Sequence, residues 1–224
     1  MRVEPWLLLV LATSVRATGP QREGTLTAPP SLQRTPLEEL LDRHYAARGG
    51  LEHLRALRAV RVRSHNDGGW MRLETSTITA RGLRQRTDAT SQGITESRGV
   101  DGKTGWYTNA FGGRKDAIAL SPDELKAALD DADLDGHLVD WRQKGHRVEL
   151  LGQEEVDGSP AFKLKVTLRS GTVEYTYLDA DSLLEIKTVT QRRVRGALVE
   201  TETEYGNYEL VNGVYFPFSI EQRE

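Results

Sequence analysis

The sequence predicts a single, mainly β domain of about ten or eleven antiparallel strands, with short helices before and between them. Apolar and polar residues alternate over segments such as residues 162–168, as in strands with one wet face. Asp-Gly and Asn-Gly pairs follow such segments at Asp101, Asp157 and Asn212, and they favour tight hairpin turns. Because these connections are too short for crossovers, we expect consecutive strands to be antiparallel.

A first helix is predicted directly before the strands. Thr35 and Glu38 have the spacing of a capping box, and Pro36 suits the first helical position. One apolar stripe follows at helical spacing, so this helix needs an apolar surface to lie on. The stripe consists of Leu37, Leu40, Leu41, His44 and Tyr45.

A second helix is predicted within residues 110–145, where the strand pattern is interrupted. Ser121 and Glu124 repeat the capping pattern around Pro122. The apolar face of this helix comprises Leu125, Ala128 and Leu129.

The N-terminal residues have the pattern of a targeting segment. Arg2 precedes an apolar run that is about half of the ~20 residues needed to cross a bilayer. Val15, Arg16 and Ala17 then fit a cleavage pattern that ends on a small residue. We therefore expect a signal peptide over residues 1–17, a flexible leader over 18–34 and one domain over 35–224.

Composition excludes several classes of function. The 30 Lys and Arg nearly balance the 33 Asp and Glu, so the net charge of -3 gives no reason to expect a nucleic-acid partner. The chain has no cysteine, which excludes disulfides, thiolate metal sites and cysteine nucleophiles. No GxSxG or SxxK motif is present. We expect neither catalytic residues nor a cofactor.

An acidic segment partly matches a calcium-binding loop. Asp131, Asp133, Asp135 and Gly136 occupy its first, third, fifth and sixth positions. The last position, where a bidentate glutamate is required, falls on Arg142. The five histidines lack metal-binding spacing. We therefore expect a solvated acidic loop and no metal.

One hairpin resembles that of a known family. Residues 100–111 read VDGKTGWYTNAF, in which an Asp-Gly-Lys-Thr turn is followed by tryptophan, asparagine and phenylalanine. This pattern is similar to that of the outer-membrane lipoprotein sorting proteins, the LolA-like periplasmic carriers. The order of signal peptide, amphipathic helix, antiparallel meander and helical insertion also matches that family. The resemblance covers about residues 35–222.

The resemblance implies an unclosed, or half, β-barrel whose apolar concave face lies under a helical lid. It further implies a monomeric, non-enzymatic periplasmic carrier of lipoprotein or lipid acyl chains. Its other partners would be an inner-membrane release complex and an outer-membrane acceptor. The concave face would include Phe162, Leu164, Val166, Leu168, Tyr175 and Tyr177. Further ligand contacts would come from Leu37, Leu41, Tyr45, Leu125 and Leu129 of the lid, and from Trp106 and Phe111.

The resemblance also implies an arginine that latches the lid to a strand end before the hairpin. The corresponding place is residues 79–82, which makes Arg81 the expected latch, with Gly82 where the family has proline. Arg84 and Arg86 are alternatives.

A second hypothesis is an envelope sensor or scaffold of the same fold that binds a protein partner, because a fold alone does not fix function. Strand alternation does not separate a filled barrel from a ligand cavity, since both bury one face.

Overall fold

The computed structural model describes residues 34–66, 72–194 and 196–223. The predicted signal peptide and the leader up to residue 33 lie outside the described residues. The helices are α1 (Pro36–Ala47), α2 (Leu51–Ala56) and α3 (Pro122–Asp131). The first six strands are β1 (Ala59–Asn66), β2 (Leu73–Ala80), β3 (Arg84–Ser91), β4 (Ile94–Asp101), β5 (Gly105–Asn109) and β6 (Arg114–Ala119). The remaining strands are β7 (Arg147–Val156), β8 (Ser159–Thr167), β9 (Val173–Asp179), β10 (Glu185–Val194), β11 (Ala197–Val211) and β12 (Val214–Arg223).

The strands form two antiparallel sheets of six, each ordered as a simple meander. The first sheet runs from β1 to β6 and the second from β7 to β12. The expected class, mainly β with an unclosed antiparallel sheet and few helices, is confirmed. Two details differ from expectation. β6 lies in the segment expected to interrupt the strands, and residues 120–146, which hold α3 and a series of turns, separate the two sheets.

Both predicted helix starts are confirmed. The Thr35 hydroxyl accepts a hydrogen bond from the Glu38 N–H, and the Glu38 carboxylate accepts one from the Thr35 N–H. Ser121 and Glu124 form the same reciprocal pair at α3. Each pair satisfies backbone donors that the helix leaves free, so the sequence fixes where α1 and α3 begin.

The corner between α1 and α2 lies directly against the β11–β12 hairpin. The Tyr215 N–H donates to Arg48 O at 3.0 Å. Gly49 has a φ of 109°, and a Cβ at this position would lie 1.9 Å from Gly213 O. Only glycine permits this approach, so Gly49 lets the α1–α2 corner pack directly on the β11–β12 turn.

Two apolar clusters are present in the described part of the chain. The larger core joins α1, α2, the second sheet and the turns before β7. The smaller cluster joins α3 to the first sheet and contains Val100, Ala128 and Ala132, with Leu120, Leu125 and Leu129 at its margin.

Candidate functional site

Helices α1 and α2 cover one face of the second sheet, which we call the covered face and define by Leu164 and Val166 of β8. Leu41 of α1 and Leu54 of α2 belong to the same buried core as these two residues. Leu54, Leu164 and Val166 have no exposed surface. The covered face is therefore filled by helix side chains.

Six of the residues predicted to contact a ligand meet in this core, where they pack with one another. α1 is further held by Tyr45, whose hydroxyl donates to Leu138 O at 2.6 Å. Burial of the phenol, aided by nearby Asp140, raises the pKa of Tyr45 to about 12. The six are Leu37, Leu41, Tyr45, Phe162, Leu164 and Val166. Leu168 of the expected concave face is buried in the same core.

Tyr175 and Tyr177 lie on the opposite face of the second sheet, so the expectation that they share the concave face is wrong. In the β8–β9 register Leu164 pairs with Thr176, whereas Tyr177 pairs with Lys163. Directly paired residues lie on the same face of an antiparallel sheet. Apolar and polar residues alternate in each strand as predicted. The hairpin register, however, places the polar residues of β9 on the same face as the apolar residues of β8.

Trp106 and Phe111 also lie away from the covered face. The expectation that they contact a ligand together with the residues of that face is therefore wrong. Trp106 pairs with Gly99, so it lies on the side of the first sheet opposite Val100, which packs against α3. The Arg86 guanidinium lies 5.8 Å from the centre of the indole ring. Phe111 is in the β5–β6 turn and is 40% exposed.

The predicted second lid helix, α3, contacts both sheets. Leu125 and Leu129 pack beside Val100 in the smaller cluster. On the other side, the Asp130 carboxylate accepts hydrogen bonds from the hydroxyls of Ser170 and Thr172 at 2.7 and 2.8 Å. The lid residues predicted on α1 and α3 therefore belong to two different clusters.

Arg81, in the β2–β3 turn, bonds to both helical segments. Its two terminal nitrogens donate to the Asp135 carboxylate, after α3, at 2.7 and 2.9 Å. Nη2 also donates to the carbonyl oxygens of Leu54 and Arg55, at the end of α2, at 2.9 and 2.7 Å. Carbonyls in the last turn of a helix have no partner one turn further on, although Leu54 O also accepts a hydrogen bond from the Leu57 N–H at 3.3 Å. One guanidinium thus joins the first sheet, α2 and the segment after α3.

The two alternative arginines make different contacts. Arg84 donates through Nε to the Arg81 backbone oxygen at 2.9 Å. Arg86 bonds to the Asp88 carboxylate, which lies in the same strand.

A buried ion pair that the sequence analysis did not find lies between the end of α3 and the second sheet. His137 Nδ1 is 3.1 Å from the Glu174 carboxylate, and Nε2 is 3.2 Å from Asp130 O. The side chains are 17% and 12% exposed. Burial disfavours the imidazolium, but the Glu174 charge and both hydrogen bonds outweigh it and raise the pKa of His137 to about 9. Burial likewise opposes ionisation of Glu174, but His137 and the Thr176 hydroxyl lower its pKa.

His44 of α1 is the second buried histidine. Its Nδ1 donates to Leu183 O at 2.8 Å. Nε2 has no hydrogen-bond partner among the described residues and lies 3.7 Å from the Glu185 carboxylate. Burial lowers the pKa of His44 despite that carboxylate. The signal was in the sequence, because His44 occupies the apolar stripe of α1.

The acidic loop after α3 is held by cations of this chain. Within the described residues, no group of three or more ligating side chains is arranged to hold a metal ion. Each carboxylate has its own partner: Asp131 pairs with Arg192, Asp133 with Lys144 and Asp135 with Arg81.

An open groove of about 310 Å³ lies on the first sheet beside α3. Its lining combines polar side chains such as Glu96, Arg98 and Glu124 with apolar surface from residues such as Ala89 and Leu120. A second depression, of about 340 Å³, lies at the β7–β8 hairpin and is lined by residues such as Glu154 and Glu155. The second depression does not resemble the mostly apolar pockets that bind small molecules.

None of the described helices has the length and apolarity to cross a bilayer. No protein-family model matches the sequence, and no curated protein matches it.

Solved structures do share this architecture. A LolA superfamily protein from Nitrosomonas europaea matches with a TM-score of 0.50 and 16% identity, over 78% of this chain and 83% of that chain. A DUF1329 family protein from Desulfovibrio piger matches with a TM-score of 0.51 and 14% identity, over 85% and 87% of the two chains. The two unclosed meanders and the helices over them therefore form a LolA-like fold.

Proposed function

We propose that this chain is a non-enzymatic periplasmic carrier, which binds acyl chains of lipoproteins or other lipids on the covered face and delivers them to the outer membrane. The observation that carries the proposal is the layer formed by α1 and α2. It covers the apolar residues of β8 with its own side chains and is tied at its rim by Arg81. Displacement of this layer would expose a surface suited to hydrocarbon. The likeness to a LolA superfamily protein supports the proposal.

The energetics of exchange suit a carrier. An acyl chain of sixteen carbons gains on the order of 12 kcal/mol when it is buried, at about 0.8 kcal/mol per methylene. When the helices close again, they bury Leu40, Leu41 and Leu54, each worth about 1.5–3 kcal/mol. Closing therefore offsets a large part of the loss when cargo leaves, so the cargo can be released to an acceptor.

In this proposal Arg81 is the lid latch. Asp135 is only 8% exposed on its side chain, so loss of Arg81 would leave a poorly solvated carboxylate without its partner. A protein without the latch should open more often. Since apparent affinity rises with the fraction of molecules that are open, cargo should then bind more tightly.

The test combines native mass spectrometry of the protein purified from a periplasm with binding of a dipalmitoylated cysteine peptide. We expect bound lipid or lipoprotein at a defined stoichiometry. We expect Arg81→Ala to strengthen peptide binding several-fold, as the population of open molecules rises. Arg86→Ala is the matched control, because Arg86 bonds only within the first sheet in the described contacts. An empty protein that binds no acyl peptide would overturn the proposal.

The filled covered face favours a second function, an envelope sensor or scaffold that binds a protein partner. Because the helices already bury the apolar residues of the covered face, the fold needs no lipid for stability. In that case the purified protein would retain a specific polypeptide and no lipid, and its melting temperature would not change with the acyl peptide.

A further inference from the structure

The two sheets have four edges, and three of them carry features that block pairing with another strand. β6 has only six residues, and its register with β5 shifts between Tyr107 and Asn109. The register of β7 with β8 shifts between Leu150 and Gly152. β12 contains Pro217, which lacks the N–H that a ladder requires. Short strands, bulges and proline protect sheet edges from unwanted pairing.

β1 is the edge without such protection. Its eight residues, AVRVRSHN, include neither proline nor glycine. They pair with β2 in one continuous register from Ala59 to Asn66. No other described strand pairs with β1. A long, regular edge presents a row of backbone donors and acceptors that only another extended chain can satisfy in full.

The side chains of β1 give this edge a charge. Arg61 and Arg63 are exposed and make no hydrogen bond or ion pair with the described residues. Arg61 pairs with Ile78, which in turn pairs with Arg86 on β3. Asp88 neutralises Arg86, so the positive charge of this face lies at β1. Val62, on the other face, is 48% exposed. The edge is thus basic on one side and apolar on the other, in a chain whose net charge is -3.

We propose that β1 binds an extended acidic segment of a protein partner, which adds a seventh strand to the first sheet. Backbone hydrogen bonds would provide affinity. Acidic residues at every second position would face Arg61 and Arg63, and apolar residues between them would lie beside Val62. The same arginines repel basic strands, so they select the partner and also limit self-association. This site is on the first sheet and does not depend on lipid binding at the covered face.

The probe is a nine-residue capped peptide that alternates glutamate with threonine or valine, compared with the same peptide carrying lysine in place of glutamate. We expect the full-length protein to bind the glutamate peptide and not the lysine peptide. Bound peptide should slow amide hydrogen exchange over residues 59–66, because strand addition protects those amides. Anisotropy of a labelled peptide gives the affinity.

The double variant Arg61→Glu, Arg63→Glu should weaken binding of the glutamate peptide about tenfold, as two exposed ion pairs become repulsive, and should begin to bind the lysine peptide. The matched control is Arg114→Glu, Lys115→Glu on β6, another edge, which should change neither affinity. If the first variant does not fold, as judged by circular dichroism, Arg61→Gln, Arg63→Gln replaces it.

Three outcomes would overturn the proposal. They are no binding of the glutamate peptide at about 1 mM, equal affinity of that peptide for both double variants, and unchanged exchange over residues 59–66 when the peptide is present. Binding of phosphatidylglycerol vesicles without binding of the peptide would instead identify β1 and its neighbours as an anionic-lipid surface.

Discussion

The two sheets have the same six-stranded meander, yet their helices are held by different forces. On the second sheet, α1 and α2 lie on a core of leucine and valine side chains with almost no exposed surface. On the first sheet, α3 has a small apolar cluster, and its far end is fixed to the second sheet by His137, Glu174 and Asp130. One fold thus contains an apolar attachment and a largely ionic one.

The difference decides how each helix responds to its surroundings. Apolar burial depends little on pH or salt, whereas an ionic attachment depends on the protonation of its members. In the proposed carrier, α1 and α2 would respond to hydrocarbon that competes for the covered face. α3 would respond to charge.

The largest effect should come from a cavity in the apolar attachment. Leu164→Ala removes a fully buried side chain, so we expect the free energy of unfolding to fall by about 4 kcal/mol. Leu125→Ala, at the margin of the smaller cluster, should lower it by only about 1 kcal/mol because that side chain is partly exposed. Urea denaturation measures both. Equal losses would mean that the two attachments do not differ as described.

Breaking the ionic attachment should have the next largest effect. His137→Ala leaves Glu174 buried without its cation, and we expect a loss of about 3 kcal/mol. Glu174→Gln removes the charge and should be milder, because His137 can then become neutral. A double-mutant cycle of the two residues, followed by urea denaturation, measures their coupling. Coupling near zero would show that the pair contributes nothing specific to holding α3.

Because His137 and Glu174 form this ion pair, we expect the folded protein to lose stability at alkaline pH. The pKa of His137 is raised to about 9 in the folded protein, above the value of about 6.5 expected when unfolded. Its contribution is therefore complete below pH 6.5 and is lost as pH rises through 9, by roughly 3 kcal/mol at most. Amide exchange in α3 should accelerate over that range more than exchange in α1. His137→Gln should abolish the difference.

The sequence predicted local features well and long-range pairing poorly. Thr35 and Ser121 mark the helix starts because a capping box is contained within four residues. The relative faces of Leu164 and Tyr177 depend on the register across a hairpin, which neither strand's alternation specifies. Likewise, nothing near His137 in the sequence identifies Glu174, 37 residues away, as its partner.

Arg81 was predicted in position but not in its contacts. Its position was expected from a family pattern, and the structure places it in contact with α2 and Asp135. No local pattern around residues 79–82 indicated those contacts, because its partners lie on segments that only the fold brings together. Its role as a latch stays a prediction.

The smallest predicted effect concerns acid and has the opposite sign from that of His137. Burial lowers the pKa of His44 below the usual 6.5, so the folded protein favours the neutral imidazole. The stability that His44 contributes is present above pH 6.5 and is lost as pH falls below it. Protonation would place a charge inside the apolar core, where Nε2 has only the Glu185 carboxylate, 3.7 Å away, to receive it.

The protection factors of the α1 amides, which correct for the intrinsic pH dependence of exchange, should therefore fall between pH 7 and pH 5, while His137 keeps its charge over the same interval. His44→Gln, which retains a donor for Leu183 O, should remove the acid response of α1. His53→Gln, on the exposed surface of α2, is the control and should leave it unchanged. If α1 loosened in acid equally in all three proteins, the acid response would belong to other groups. If it loosened only where His44 is present, the apolar attachment would contain one titratable group, and acid and alkali would release different helices of the same fold.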